Sequence, residues 1–83
     1  MRINGEKIRE LRKKRGLTIV ELGKRVGYSV YKKGNKGYEQ CPSMQYLETG
    51  RQKMTAADKL AKIAFELGVM SEDLLIAEPG DYE

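Results

Sequence analysis

Ser43-Met44-Gln45-Tyr46-Leu47-Glu48-Thr49-Gly50-Arg51 is the stretch on which the reading of this chain turns. Met44 and Leu47 stand three apart and make one apolar face, Gly50 stops the segment, and Arg51 and Lys53 follow. A short helix is expected here, opening near Cys41-Pro42, because a first turn tolerates a proline whose missing N–H would have no partner anyway. Upstream, Thr18-Ile19-Val20-Glu21 has the form of a capping box, in which a hydroxyl and a carboxylate take orphan amide donors. It opens a helix with Leu22 and Val26 facing the core, Leu17 stapled on Leu22 and Gly27 as the stop. Gly23 within that helix costs about 1 kcal/mol relative to Ala. Close approach of another helix is the expected reason for it.

Tyr28-Ser29-Val30-Tyr31-Lys32-Lys33-Gly34-Asn35-Lys36-Gly37-Tyr38-Glu39 separates these two helices. Tyr and Val at its ends with Gly-Asn in the middle suggest a short two-stranded hairpin or an ordered loop. A first helix is expected from Asn4, with Ile8 and Leu11 on one face, Arg9, Arg12, Lys13, Lys14 and Arg15 toward its C-terminal end, and Gly16 as the stop. A fourth is expected from Thr55, with Leu60, Ile63, Ala64 and Leu67 as its stripe and Gly68 as its stop. A fifth, short helix capped by Ser71 would carry Leu74 and Leu75. The expected architecture is therefore all-α: one five-helix domain over residues 1–78, with the insert at about 28–39 and a fraying tail at 79–83.

The 83-residue chain has a net charge of +4, but the charge is unevenly spread. From Met1 to Lys36, 12 Lys and Arg stand against 3 Glu, or +9; from Gly37 to Glu83, 4 stand against 9 Asp and Glu, or −5. A basic front and an acidic back suit a nucleic-acid binder with a separate non-binding end. With no histidine, Ser-His-Asp and Cys-His catalysis and Cys/His zinc sites are excluded, so no enzyme and no cofactor is expected. The single cysteine, Cys41, cannot form an intrachain disulfide, which suits a reducing compartment. No signal-peptide pattern and no run approaching ~20 apolar residues is seen, so the expected location is cytoplasmic, with no membrane contact.

Thr18-Ile19-Val20-Glu21-Leu22, Tyr46-Leu47-Glu48-Thr49-Gly50-Arg51 and Leu60-Ala61-Lys62-Ile63-Ala64-Phe65-Glu66-Leu67-Gly68-Val69, followed by Leu74-Leu75, together resemble the Xre family of phage Cro and repressor-type helix-turn-helix regulators. The resemblance spans about residues 5–76, and the order of the blocks is as distinctive as any one of them. It implies a five-helix bundle in which helices two and three form a DNA reader, helix three entering the major groove. It also implies a homodimer bound to a double-stranded DNA operator, most often as a repressor, with an antitoxin or other protein-partner role as the alternative. Four departures stand out: the insert itself; Ile19, where relatives often carry a phosphate-touching glutamine; Cys41 and Pro42, where polar residues often read bases; and Gly23 in place of the usual alanine.

On that resemblance, Gln40, Ser43, Gln45 and Tyr46 are the candidate base-reading residues, since glutamine pairs with adenine edges and serine with several bases. Thr18, Thr49, Arg51 and Lys53 are the candidate phosphate contacts. Arg12 and Glu48 are the candidate structural ion pair that ties the reading helix to the first helix. Lys32, Lys33 and Lys36, interleaved with Tyr28, Tyr31 and Tyr38, form a candidate wing against phosphate or the minor groove, with a solvated loop or a dimer contact as the alternatives. A dimer face on the fifth helix is expected because Leu74, Leu75 and Ile76 exceed what one stripe needs.

Overall fold

The computed structural model describes residues 1–34 and 37–78. The elements run β1 (Arg2–Ile3), α1 (Gly5–Lys14), α2 (Ile19–Val26), β2 (Tyr31–Lys33), β3 (Tyr38–Gln40), α3 (Pro42–Thr49), α4 (Ala57–Leu67), a single 3-10 turn (Ser71–Leu74) and β4 (Leu75–Ile76). Four α-helices pack around one core in which Ile8, Leu22, Met44, Leu47, Ile63 and Leu74 are almost wholly buried. Side chains of this kind each stabilise the fold by about 1.5–3 kcal/mol when fully removed from water.

Local signals account for most helix ends. Asn4 caps α1 by accepting from the Lys7 amide at 3.1 Å. At α2 the Glu21 amide donates to Thr18 Oγ1 at 3.0 Å and the Thr18 amide donates to Glu21 Oε1 at 3.1 Å, completing the capping box. α2 ends on Gly27 in the left-handed region, φ 87°. There a residue of α4 completes the cap. Lys59 Nζ donates to the Val26 and Gly27 carbonyls at 3.2 and 3.3 Å, placing a cation where the helix dipole is negative.

Four expectations are corrected. The fifth helix is only the 3-10 turn, so among the described residues the fold is four α-helices with two small sheets rather than a five-helix, all-α bundle. Asp73, not Ser71, closes that turn by accepting from the Met70 amide at 3.0 Å. Leu75 and Ile76 then leave the helical path to pair antiparallel with Ile3 and Arg2. Leu74 is core and the next two residues form a ladder, so this segment holds no spare apolar helix face for a dimer. α4 begins at Ala57 with Ala56 as its N-cap, two residues after the expected start, and Thr55 spends its hydroxyl on the Tyr28 phenol. The tail at 79–83 and Lys36 lie outside the described residues.

The stretch between α2 and α3 is a hairpin, β2 pairing antiparallel with β3. The Lys24–Glu39 ion pair, 2.9 Å, ties it to α2.

Candidate nucleic-acid interface

Three fixings position α3. From α1, Arg12 reaches across with both edges of its guanidinium. Its Nε and Nη2 donate to Glu48 Oε2 and Oε1 at 2.7 and 3.0 Å, and its Nη1 donates to the Leu17 carbonyl at 2.8 Å. Both side chains are buried, so one planar fork holds α3, α1 and the turn into α2 in a single arrangement. At the start of α1, a Cβ on Gly5 would overlap the carbonyls of Leu47 and Glu48, so glycine lets α1 touch the backbone of α3.

The third fixing joins α2 to the start of α3. A Cβ on Gly23 would overlap Cys41 Sγ, and Cys41 is 2% exposed. Gly23 and Cys41, both departures from the pattern of the resembled family, are thus one feature: the missing methyl on α2 makes room for the sulfur at the N-cap of α3.

On its outer side α3 exposes Gln45, Tyr46 and Thr49, while Ser43 is half-buried. Its N-terminus carries no side-chain cap and no acidic residue in the first turn, which leaves the positive end of the helix unneutralised. The N-terminus of α2 differs. There the Thr18 backbone amide, followed by the Thr18 hydroxyl, holds the Glu21 carboxyl below its ordinary range, so a negative charge already sits at that end. Thr18 Oγ1 accepts from the Glu21 amide, and the hydroxyl itself is turned to the Glu21 carboxyl.

The segment after α3 is compact. Thr49 Oγ1 donates back to the Gln45 carbonyl at 2.9 Å. The Gln52 amide donates to the Tyr46 carbonyl at 3.1 Å. Arg51 lies over the Tyr46 ring, 5.8 Å from its centroid. The Lys53 carbonyl accepts from the Ile3 amide at 2.7 Å while its side chain is exposed. Gln45, Tyr46, Thr49 and Arg51 therefore form one patch. A groove beside it is lined by Glu6, Arg9, Ile19, Gln45 and Thr49 around the Arg12–Glu48 pair.

Other candidates lie apart from this patch. Gln40 is exposed, but it ends β3 and is not on α3, because Cys41 turns inward as the N-cap. Lys32 and Lys33 are exposed on β2, on opposite faces of the strand. Tyr28 is partly buried and packs against the core. Its hydroxyl bonds Thr55, Lys59 Nζ lies 5.6 Å from its ring centroid, and burial pushes its phenol pKa up. Sequence reasoning missed Gly5 and Lys59. A glycine directly after a helix cap was the available signal for the first; nothing local marks the second.

α2 and α3 meet across a buried contact, and α1 braces α3 from behind. Solved structures carry the same fold. SinR, described as the master regulator for biofilm formation, superposes in its complex with DNA at a TM-score of 0.68 and 22% identity, covering 87% of this chain and 97% of that chain. The SinR/SinI complex matches at the same TM-score and identity over 95% of this chain and 65% of that chain. Neither a protein-family model nor a curated protein sequence matches the chain. Among the described residues, no helix is long and apolar enough to cross a membrane.

Proposed function

We propose that this chain is a sequence-specific, double-stranded-DNA-binding transcriptional regulator of the Xre kind, acting in the cytoplasm as a homodimeric repressor. α3 reads a half-site through Gln45 and Tyr46, with Ser43 and Gln40 at its entry. Thr18, Thr49, Arg51 and Lys53 anchor the flanking phosphates. Occupancy of the operator then blocks transcription. The observation that carries this reading is the exposed Gln45–Tyr46–Arg51 patch on a helix braced by the Arg12–Glu48 fork, with an uncapped N-terminus.

The dimer reading draws on α4. Ala57, Ala61 and Phe65 share one exposed face, and Phe65 is 81% exposed. Two copies of α4 packed antiparallel would set Phe65 over Ala57 and bring Asp58 near Lys62 of the other copy, an isologous contact.

Binding-site selection from random duplex DNA tests the reading. A palindromic motif is expected; no enrichment at low salt would remove it. A second reading, an antitoxin or other protein-interaction module with weakened DNA reading, draws on the buried Cys41 and on Pro42 in the first turn of α3, which leave that turn few polar groups for bases. That SinR is solved with SinI supports this fold's capacity for a protein partner.

A further inference from the structure

The pleat of the hairpin sorts its side chains into two faces. Tyr31 pairs with Gln40, Lys32 with Glu39 and Lys33 with Tyr38. Alternation therefore puts Lys32 and Glu39 on one face and Tyr31, Lys33, Tyr38 and Gln40 on the other. Neighbouring residues identify the face that meets the bundle. Glu39 reaches Lys24 of α2 at 2.9 Å, and Cys41, two residues on, is buried against Gly23 of the same helix. Val30, two residues before Lys32, packs on the core. The opposite face points away from α2, with Tyr31 60% and Tyr38 67% exposed.

Only Cys41 lies between the end of β3 and the first residue of α3. A reading helix enters the major groove by its N-terminal residues. An element joined to that end by one residue lies at the rim of the groove, where the sugar–phosphate backbone runs. Resting on the DNA-binding reading above, we propose that Tyr31, Lys33 and Tyr38 form a second DNA contact, gripping backbone phosphates beside the base pairs that α3 reads.

The chemistry of this face suits phosphate. It offers one ammonium and two phenol O–H donors, all of which serve phosphate oxygens. Lys33 and Tyr38 are direct cross-strand partners, close enough to act on one phosphate. No carboxylate stands among the four outward residues, because Glu39 is turned toward Lys24. Lys32 has the same charge as Lys33 and is its chain neighbour, yet it shares the inner face with Glu39.

That difference makes the test. Affinity of the full chain for its selected duplex is measured by fluorescence anisotropy across a salt series. The variants are Lys33→Gln, Lys32→Gln and Tyr31→Phe/Tyr38→Phe, the last keeping both rings and removing only the hydroxyls. Lys33→Gln is expected to lower the salt slope by about 0.9. The double Phe variant is expected to weaken binding roughly tenfold. Lys32→Gln is expected to leave the slope at the wild-type value. Equal slopes for Lys32→Gln and Lys33→Gln, or wild-type affinity for the double Phe variant, would overturn the hairpin contact while leaving α3 as the reader. Absence of any selective duplex binding by the wild type would instead overturn the DNA-binding reading itself.

Discussion

Cys41 Sγ fills the space beside Gly23 that a β-carbon would occupy. The two residues lie on different elements, and each explains the other. Glycine is a poor helix former, and a cysteine is a poor N-cap, supplying no side-chain hydrogen bond to α3. Together they bring α2 and the start of α3 into contact.

Gly23→Ala should therefore destabilise the fold by about 1–3 kcal/mol through overpacking, although alanine is the better helix former. Adding Cys41→Ala should recover part of the loss, since it removes the sulfur and leaves only the closer-than-usual β-carbon contact of 3.2 Å. A denaturant-unfolding cycle over the four proteins reads the coupling. Additive effects would mean that the two residues do not meet.

Breaking the Arg12–Glu48 pair on one side should cost more than removing it on both. Arg12→Met or Glu48→Leu alone is expected to cost about 3–5 kcal/mol, because each leaves a buried charge unpaired. The double variant Arg12→Met/Glu48→Leu should be markedly more stable than either single, short of wild type by the lost bond to the Leu17 carbonyl, about 1 kcal/mol. Thermal unfolding of the three variants checks the order.

The α2 cap predicts a pH effect of known sign. The Glu21 carboxyl is held below its ordinary value of 4.5, chiefly by the Thr18 amide. A depressed carboxyl contributes stability that is fully present above its unfolded-state pKa and is lost as pH falls through the folded one. The stability difference between wild type and Glu21→Gln should thus be constant at neutral pH and shrink through the acid range below 4.5. Unfolding curves from neutral to acid pH measure it; a difference that grows on acidification would contradict the assignment.

Phe65→Lys should leave the domain folded, because this side chain is 81% exposed, and should shift the chain from dimer to monomer in sedimentation equilibrium. An unchanged mass would remove the α4 face from the dimer reading.

The legible parts of this fold were those decided by neighbours in sequence. Thr18 and Glu21 announce a helix start three residues apart, and Gly27, Gly50 and Gly68 announce stops by needing no partner to adopt positive φ. The illegible parts depend on distant residues. Leu75 and Ile76 look like more helix until Arg2 and Ile3, at the other end of the chain, take their backbone groups. Thr55 looks like an N-cap until the Tyr28 phenol takes its hydroxyl. Gln40 falls within reach of the third helix by counting alone, but burial of Cys41 beside Gly23 ends the strand there and starts the helix two residues later. Of the candidate site, the Gln45–Tyr46–Arg51 patch follows from helical spacing on α3, whereas the two faces of the hairpin depend on a register set only by the pairing of β2 with β3.

The central claim is that α3 reads bases through Gln45 and Tyr46. The most direct measurement is the affinity of wild type and Gln45→Ala/Tyr46→Ala for a selected duplex and for a scrambled one at the same salt. Each lost base contact costs about 1–3 kcal/mol on the correct sequence. The account predicts that the double variant binds the selected duplex at least roughly tenfold more weakly, with scrambled-duplex affinity and thermal stability unchanged. An undiminished ratio between selected and scrambled DNA would contradict it.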